Sequence, residues 1–311
     1  MNRLVSLTAA CVAVFLGSAV AAEAQSDQDA ITAPPAASDT AKAGDDDAAL
    51  TPAEPDVVVV NLPTSLPLPR FKGNFRLTHR FAGNLRNGTF GDQAGNLFGI
   101  DQGAIIGFEY RMGIAKHVQA AFYRTSFDKT IQLHGKYDAA RQGGALPVSL
   151  SALVSVEGTD NFQEKYAPAV GVVVSRHLGT RLAAYLTPMW VHNSAASLDV
   201  IDHSHGDGAT HDAPVADAAA PSPDQRDTTY VGVGGRLRFM GSAYLAGEVV
   251  LRAGGYAPDE PAYGVSVEKR VGAHMFSLTF TNTFATTFAQ LARGGAANTL
   301  YLGFNLGRKF F

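Results

Sequence analysis

The 311-residue chain has one cysteine, Cys11, and it lies within the first apolar stretch. If that stretch is removed on export, no thiol remains, and neither disulfides nor thiolate chemistry contribute. Beyond residue 24 there is no apolar run of about 20 residues, so no helix is expected to span a membrane. Charged residues make up only 17% of the chain. The basic ones are scattered at alternate positions rather than gathered on one surface, which excludes nucleic acid as a partner. A G-x-S-x-G elbow and a phosphate-binding glycine loop are both missing.

What is present begins with an export signal. Met1-Asn-Arg3 is a short basic start, Leu4 to Val20 is apolar, and Ala22-Glu-Ala24 is a small-residue cleavage pattern. Residues 1–24 therefore read as a cleaved signal peptide rather than a membrane anchor. Too little apolar sequence precedes Cys11 for a lipoprotein signal. Residues 25–60 hold eight acids against one base, Lys42. Rich in Ala, Asp and Pro and without aromatics, this stretch is expected to be a disordered acidic lead-in. The remaining segment, 61–311, holds 23 basic residues (25 less Arg3 and Lys42) and 19 acidic ones (28 less the eight and Glu23).

That segment breaks into pieces of about ten residues separated by turn chemistry. In Phe71–Phe81, Phe71, Phe75, Leu77 and Phe81 alternate with Lys72, Asn74, Arg76, Thr78 and Arg80. Ten residues of strand extend roughly 33 Å. Tilted by about 40°, they cover roughly 25 Å of height, the separation of two aromatic girdles. At the other end, Leu300, Leu302, Phe304, Leu306 and Phe310 share one parity, and Tyr301, Gly303, Asn305, Gly307 and Lys309 the other. This parity selects Phe310, not Phe311, as the apolar-facing anchor.

Twelve such segments are expected, at about 71–81, 103–112, 117–126, 130–138, 147–157, 168–178, 181–193, 228–240, 243–254, 261–270, 273–283 and 298–311. Short connections alternate with mostly longer, more polar ones. The fold class is all-β: a closed antiparallel transmembrane β-barrel of twelve strands with short periplasmic turns and longer outer loops. The last strand is expected to close against the first. The address is the outer membrane of a Gram-negative-type bacterium, with lipid and, through the terminal strand, the barrel-assembly machinery as partners.

Phe75–Phe81, Leu97–Gly103 with Gly107–Tyr110, Leu146–Leu150, Pro188–His192, Phe276–Asn282 and Phe304–Arg308 together resemble the β-barrel family known as domain of unknown function 5777. The resemblance covers roughly 62–311. It implies an outer-membrane barrel of uncharacterised activity and supplies no catalytic residue. Loop 194–227 is longer and more acidic than the family pattern.

The inward parity is basic. Lys72, Arg76, Arg80, Arg111, Lys136, Arg236, Arg238, Arg252 and Arg270 are expected to line the lumen, with Glu109, Glu248 and Glu268. Lumen charges set selectivity, so one expectation is a narrow passive channel for small, anionic solutes. The other is a barrel filled by Arg–Glu pairs, plugged, and acting through its outer loops on an unidentified partner. Parity does not separate the two. Loop 194–227 carries His203, His205 and His211 among carboxylates, a weak metal-binding pattern. A solvated outer loop explains it without any ligand, and no metal or cofactor is expected. An enzyme is not expected either: His79 falls on the lipid-facing parity, Ser149, Ser151 and Ser155 on the opposite parity of their strand, and His192 has no evident serine partner. A secreted soluble β-barrel is the remaining alternative.

Overall fold

The structure, a computed structural model, describes residues 53–143, 145–195 and 226–310. The signal segment, most of the acidic lead-in, His203, His205, His211 and Phe311 lie outside the described residues.

Twelve antiparallel strands close into one barrel. They are β1 (Gly73–Asn84), β2 (Ala104–Ala115), β3 (Val118–Thr125), β4 (Ile131–Ala140), β5 (Ser149–Gly158), β6 (Glu164–Leu178), β7 (Leu182–Val191), β8 (Thr228–Met240), β9 (Ala243–Gly255), β10 (Ala262–Val271), β11 (His274–Thr281) and β12 (Tyr301–Phe310). Each pairs with its chain neighbours, and β12 pairs with β1 from Gly73↔Phe310 to Arg80↔Gly303. Closure leaves no strand edge, so the backbone polar groups of the wall are paired within it, as a bilayer interior demands.

The two faces of the wall are chemically opposite. Phe75, Phe108, Phe122, Val154, Val170, Trp190, Val267, Phe276 and Leu278 point outward and are exposed. Their strand neighbours point inward and are buried, with Arg76, Glu109, Tyr123, Arg236, Glu268 and Thr279 among them. In water a belt of exposed apolar side chains over a buried ionic interior is inverted; in lipid it is the stable arrangement. His79 lies on this outer face, stacked on Phe304 with ring centroids 4.8 Å apart. Phe310 is outward too, with the Arg308 guanidinium 5.2 Å from its ring centre. Among the described residues, no helix is long and apolar enough to cross a membrane.

Turns such as Gly241-Ser242 and Gly272-Ala273 form one rim, which also carries the start of β1 and the end of β12. The opposite rim carries the longer connections, including the helix Phe90–Gly95 between β1 and β2 and the helix Phe288–Ala292 between β11 and β12. Phe127–Lys129, too short for the expected loop length, is a single 3-10 turn.

The structure departs from the sequence reading at the N-terminal boundary. Composition assigned residues up to 60 to a disordered lead-in, yet Ala53, Glu54 and Asp56 to Val60 are at most 5% exposed. Together with Asn61 to Leu66 they fill the barrel from the short-turn rim. Val58 bridges Pro63, the Thr64 amide donates to the Val57 carbonyl, and the Val59 amide donates to the Leu62 carbonyl. This is a hairpin with Val60-Asn61 at its tip. The chain leaves the lumen over Gly113, where a Cβ would stand 2.2 Å from the Pro69 carbonyl oxygen. It then turns into β1 through Phe71, whose φ is 62°.

Candidate functional site

Among the described residues, the lumen is where the fold gathers ionisable side chains away from water, and the hairpin is what they hold. At its tip, the Glu248 carboxylate of β9 accepts from the amides of Val60, Asn61 and Leu62 at 2.9–3.0 Å and from the Asn61 side-chain amide at 3.0 Å. Three consecutive amides converging on one carboxylate make a charge-assisted clamp in a medium of low dielectric. The Asn61 side-chain oxygen accepts from Arg80 at 3.1 Å, and Arg80 also donates to Asn305 at 2.8 Å. Asn305 in turn donates to the Val60 carbonyl at 3.2 Å.

Along the hairpin's two legs the wall donates to main-chain carbonyls. Arg236 reaches Val58 and Val59 at 2.8 and 3.1 Å while pairing with Glu268 at 2.7 Å. Lys136 reaches Thr64 and Leu66 at 3.0 and 2.8 Å while pairing with Asp138 at 3.2 Å. Arg111 and Arg76 flank Glu109 at 3.0 and 3.4 Å and touch the carbonyls of Val57 and Val60. Gln119 donates to Leu66, and Lys309 to Pro55. Near the rim, Glu54 meets the His177 ring nitrogen at 3.0 Å, and Ser65 bonds Ser175. Most of these bonds reach backbone atoms, so the wall grips the hairpin's shape more than its side chains.

Leu62 adds an apolar contact. It joins a buried cluster with Leu153, Val173, Met189, Tyr230, Val250 and the helix residues Phe288 and Leu291. At Gly232 of β8 a Cβ would lie 2.7 Å from a Leu62 methyl. Gly232→Val is therefore expected to push the hairpin tip away while leaving the lipid-facing wall unchanged. Overpacking of this kind costs about 1–3 kcal/mol. Faster protease cutting within 53–68, at unaltered barrel mobility on gels, checks it.

A second segment packs into the mouth at the loop rim. Asn282, Phe284 to Ala292 and the helix within them are buried in the barrel mouth. Glu157 of β5 accepts from the Thr287 hydroxyl at 2.9 Å, the Ala289 amide at 3.1 Å and Gln132 at 3.0 Å. Gln290 donates to Thr130 at 3.0 Å, and Arg293 pairs with Asp128 at 2.8 Å. The hairpin thus fills the lumen and the second segment narrows its mouth, and a buried glutamate holds each.

Of the residues expected in the lumen, Arg76, Arg80, Glu109, Arg111, Lys136, Arg236, Glu248 and Glu268 are inside and buried. Lys72, Arg238, Arg252 and Arg270 are not fully inside. They sit at strand ends, where the alternation runs past the filled interior. Arg238, Arg252 and Arg270 bend onto the carbonyls of Gly241, Gly255 and Gly272. Asp138, Glu157 and His134, outside the expected lumen set, are buried inside as well, and so is Lys309 of the terminal strand. With Lys309 and these acids included, the buried inward wall has six cations (Arg76, Arg80, Arg111, Lys136, Arg236, Lys309). Against them stand five acids (Glu109, Asp138, Glu157, Glu248, Glu268), among the described residues. The hairpin contributes Glu54 and Asp56. The expected excess of positive charge is nearly balanced. Among the described residues no cluster suits a metal ion.

Residues 57–310 match the family described as a membrane bound beta barrel domain, domain of unknown function 5777. No curated protein matches the chain significantly. Similar solved structures include the NanC porin, at 8% identity and a TM-score of 0.45 over 77% of this chain and 99% of that one. The KdgM porin is 7% identical with a TM-score of 0.42 over 77% and 98% of the two chains. A mutant porin of Rh. blastica is 11% identical with a TM-score of 0.32 over 66% and 55%.

Proposed function

The chain belongs to the membrane bound β-barrel domain family, and from that premise we propose that it is an outer-membrane barrel closed at rest. Its narrow path for small solutes opens only when the N-terminal hairpin leaves the lumen. The observation that carries this reading is the Glu248 clamp on Val60, Asn61 and Leu62. It makes the hairpin an occupant of the pore rather than part of its wall. The hairpin enters from the short-turn rim, which is the periplasmic side on this reading, where short turns belong.

On this reading the inward arginines and lysines have two roles. With the hairpin seated they satisfy its carbonyls; with it gone they face the solute. Six cations against five acids favour anions only weakly. Catalysis has no part in this function. The separate segment at Phe288–Ala292, held by Glu157, favours a second reading in which it seals the loop rim and the barrel, permanently closed, acts through its loops. Planar-bilayer recording of the folded chain before and after release of the hairpin tests the two. Current only after release supports the gated path; silence in both states leaves the closed barrel.

A further inference from the structure

The connection 85–103 has no role in closing the lumen. It is apolar where a water-facing loop is not: Phe90, Leu97, Phe98 and Ile100 are 78, 54, 40 and 43% exposed. The Phe90 and Phe98 rings meet edge to face at 5.9 Å. The helix Phe90–Gly95 has a capping box between Thr89 and Asp92 and buries none of its residues. Local bonds thus hold these side chains in place without hiding them.

The placement of this connection says what covers it. A Cβ on Gly83 would stand 2.2 Å from the Gly99 Cα, so the loop backbone lies flat against the end of β1. Arg86 reaches the hydroxyl of Tyr263 at 3.4 Å. Tyr263 lies between the inward, buried Ala262 and Gly264, so it faces outward from β10. The loop therefore runs along the outside of the barrel rather than over its mouth. Immediately below it on the same face are His79, Phe81 and Phe304, packed ring against ring. The exposed loop residues extend the lipid-facing belt past its aromatic girdle.

We propose that the segment 90–100 is a membrane-contacting element that binds the acyl-chain boundary of the bilayer leaflet on the loop-rim side. Apolar side chains next to a barrel's lipid face have acyl chains within reach. An interfacial element enters about 5–10 Å into the headgroup and acyl boundary. Asp92 and Asp101 supply the polar side that stays in water. This inference does not depend on the gated path.

The test uses the full folded chain in phosphatidylcholine vesicles. Trp190, the chain's one tryptophan, is replaced by phenylalanine, and Phe98→Trp or Phe90→Trp supplies the probe. With acyl chains brominated close to the headgroup, the probe is expected to lose about half its emission and to emit at blue-shifted wavelengths, as a shallow interfacial residue does. Acrylamide in the water is expected to quench it weakly. Strong acrylamide quenching without bromine quenching would overturn the proposal. So would protection from both quenchers together with cross-linking into dimers, which assigns the face to a second copy. The two probe positions report independently, and heat-modifiable gel mobility shows that each variant has folded.

Discussion

Cutting the chain between Pro69 and Phe71 and washing out the hairpin is expected to turn a silent barrel into a conducting one. The linker suits the experiment because Arg70 and Phe71 are exposed, whereas the hairpin before them is buried. A protease site built there cuts the folded protein, so the barrel is never asked to fold around an empty lumen. Once cut, the hairpin loses its tether to β1 and the high effective concentration the tether provided. A mild denaturant wash then favours its loss, while the closed ladder of twelve strands holds the wall. In planar bilayers the intact chain is expected to show no steps, and the washed chain to show small, uniform ones. Cleaved but unwashed protein is expected to stay silent, since the polar grip remains. Equal conductance in all three states would mean that the hairpin does not close the path.

The second large effect is expected at Glu248. Glu248→Ala leaves three buried amides and the Asn61 side chain without their shared acceptor. Removing one partner of a buried, charged, hydrogen-bonded set costs about 3–5 kcal/mol. At about 1.4 kcal/mol per factor of ten, the seated hairpin becomes roughly a hundred- to several-thousand-fold less favoured. A cysteine in place of Ser65, buried beside Ser175, reads the change as a faster maleimide reaction from the water phase. Glu157→Gln is the matched comparison. It weakens the hold on the segment at the other rim, so it is expected to leave labelling at position 65 nearly unchanged. If both variants raise labelling equally, the clamp is not local and the lumen loosens as a whole.

Period-two alternation in the sequence was enough to place the strands. Each of the twelve lies within a few residues of its expected position, and β1 closes on β12 as Phe71–Phe81 and the terminal segment implied. A wall with lipid on one side and a polar filling on the other imposes opposite chemistry on alternate residues, and that pattern survives in sequence. The hairpin was not legible for the opposite reason. It has no ladder partner along most of its length and is held by its backbone, so its side chains carry little trace of its place. One signal was available: Val57 to Val60 is a β-branched run inside an otherwise acidic, alanine-rich stretch. A disordered segment has no need of four consecutive valines, and their burial is where the compositional reading failed. The strand-end cations Lys72, Arg238, Arg252 and Arg270 show the limit of parity. It gives the face a side chain points to, but not the height at which the filling stops.

The central claim, that residues 53–68 occupy the lumen of the membrane-inserted barrel, is tested most directly by one disulfide. A Cβ at Gly264 stands 3.6 Å from the Val60 Cβ, within the span of a disulfide bridge, about 3.5–4.5 Å between Cβ atoms. With Cys11 replaced by serine, Val60→Cys and Gly264→Cys are introduced together and the protein is oxidised in the membrane. A peptide map linking position 60 to position 264 is the predicted result, and the locked protein stays silent after cutting at 69–71 until it is reduced. Two free thiols after oxidation, both open to water-phase reagents, would place the hairpin outside the barrel and contradict the account.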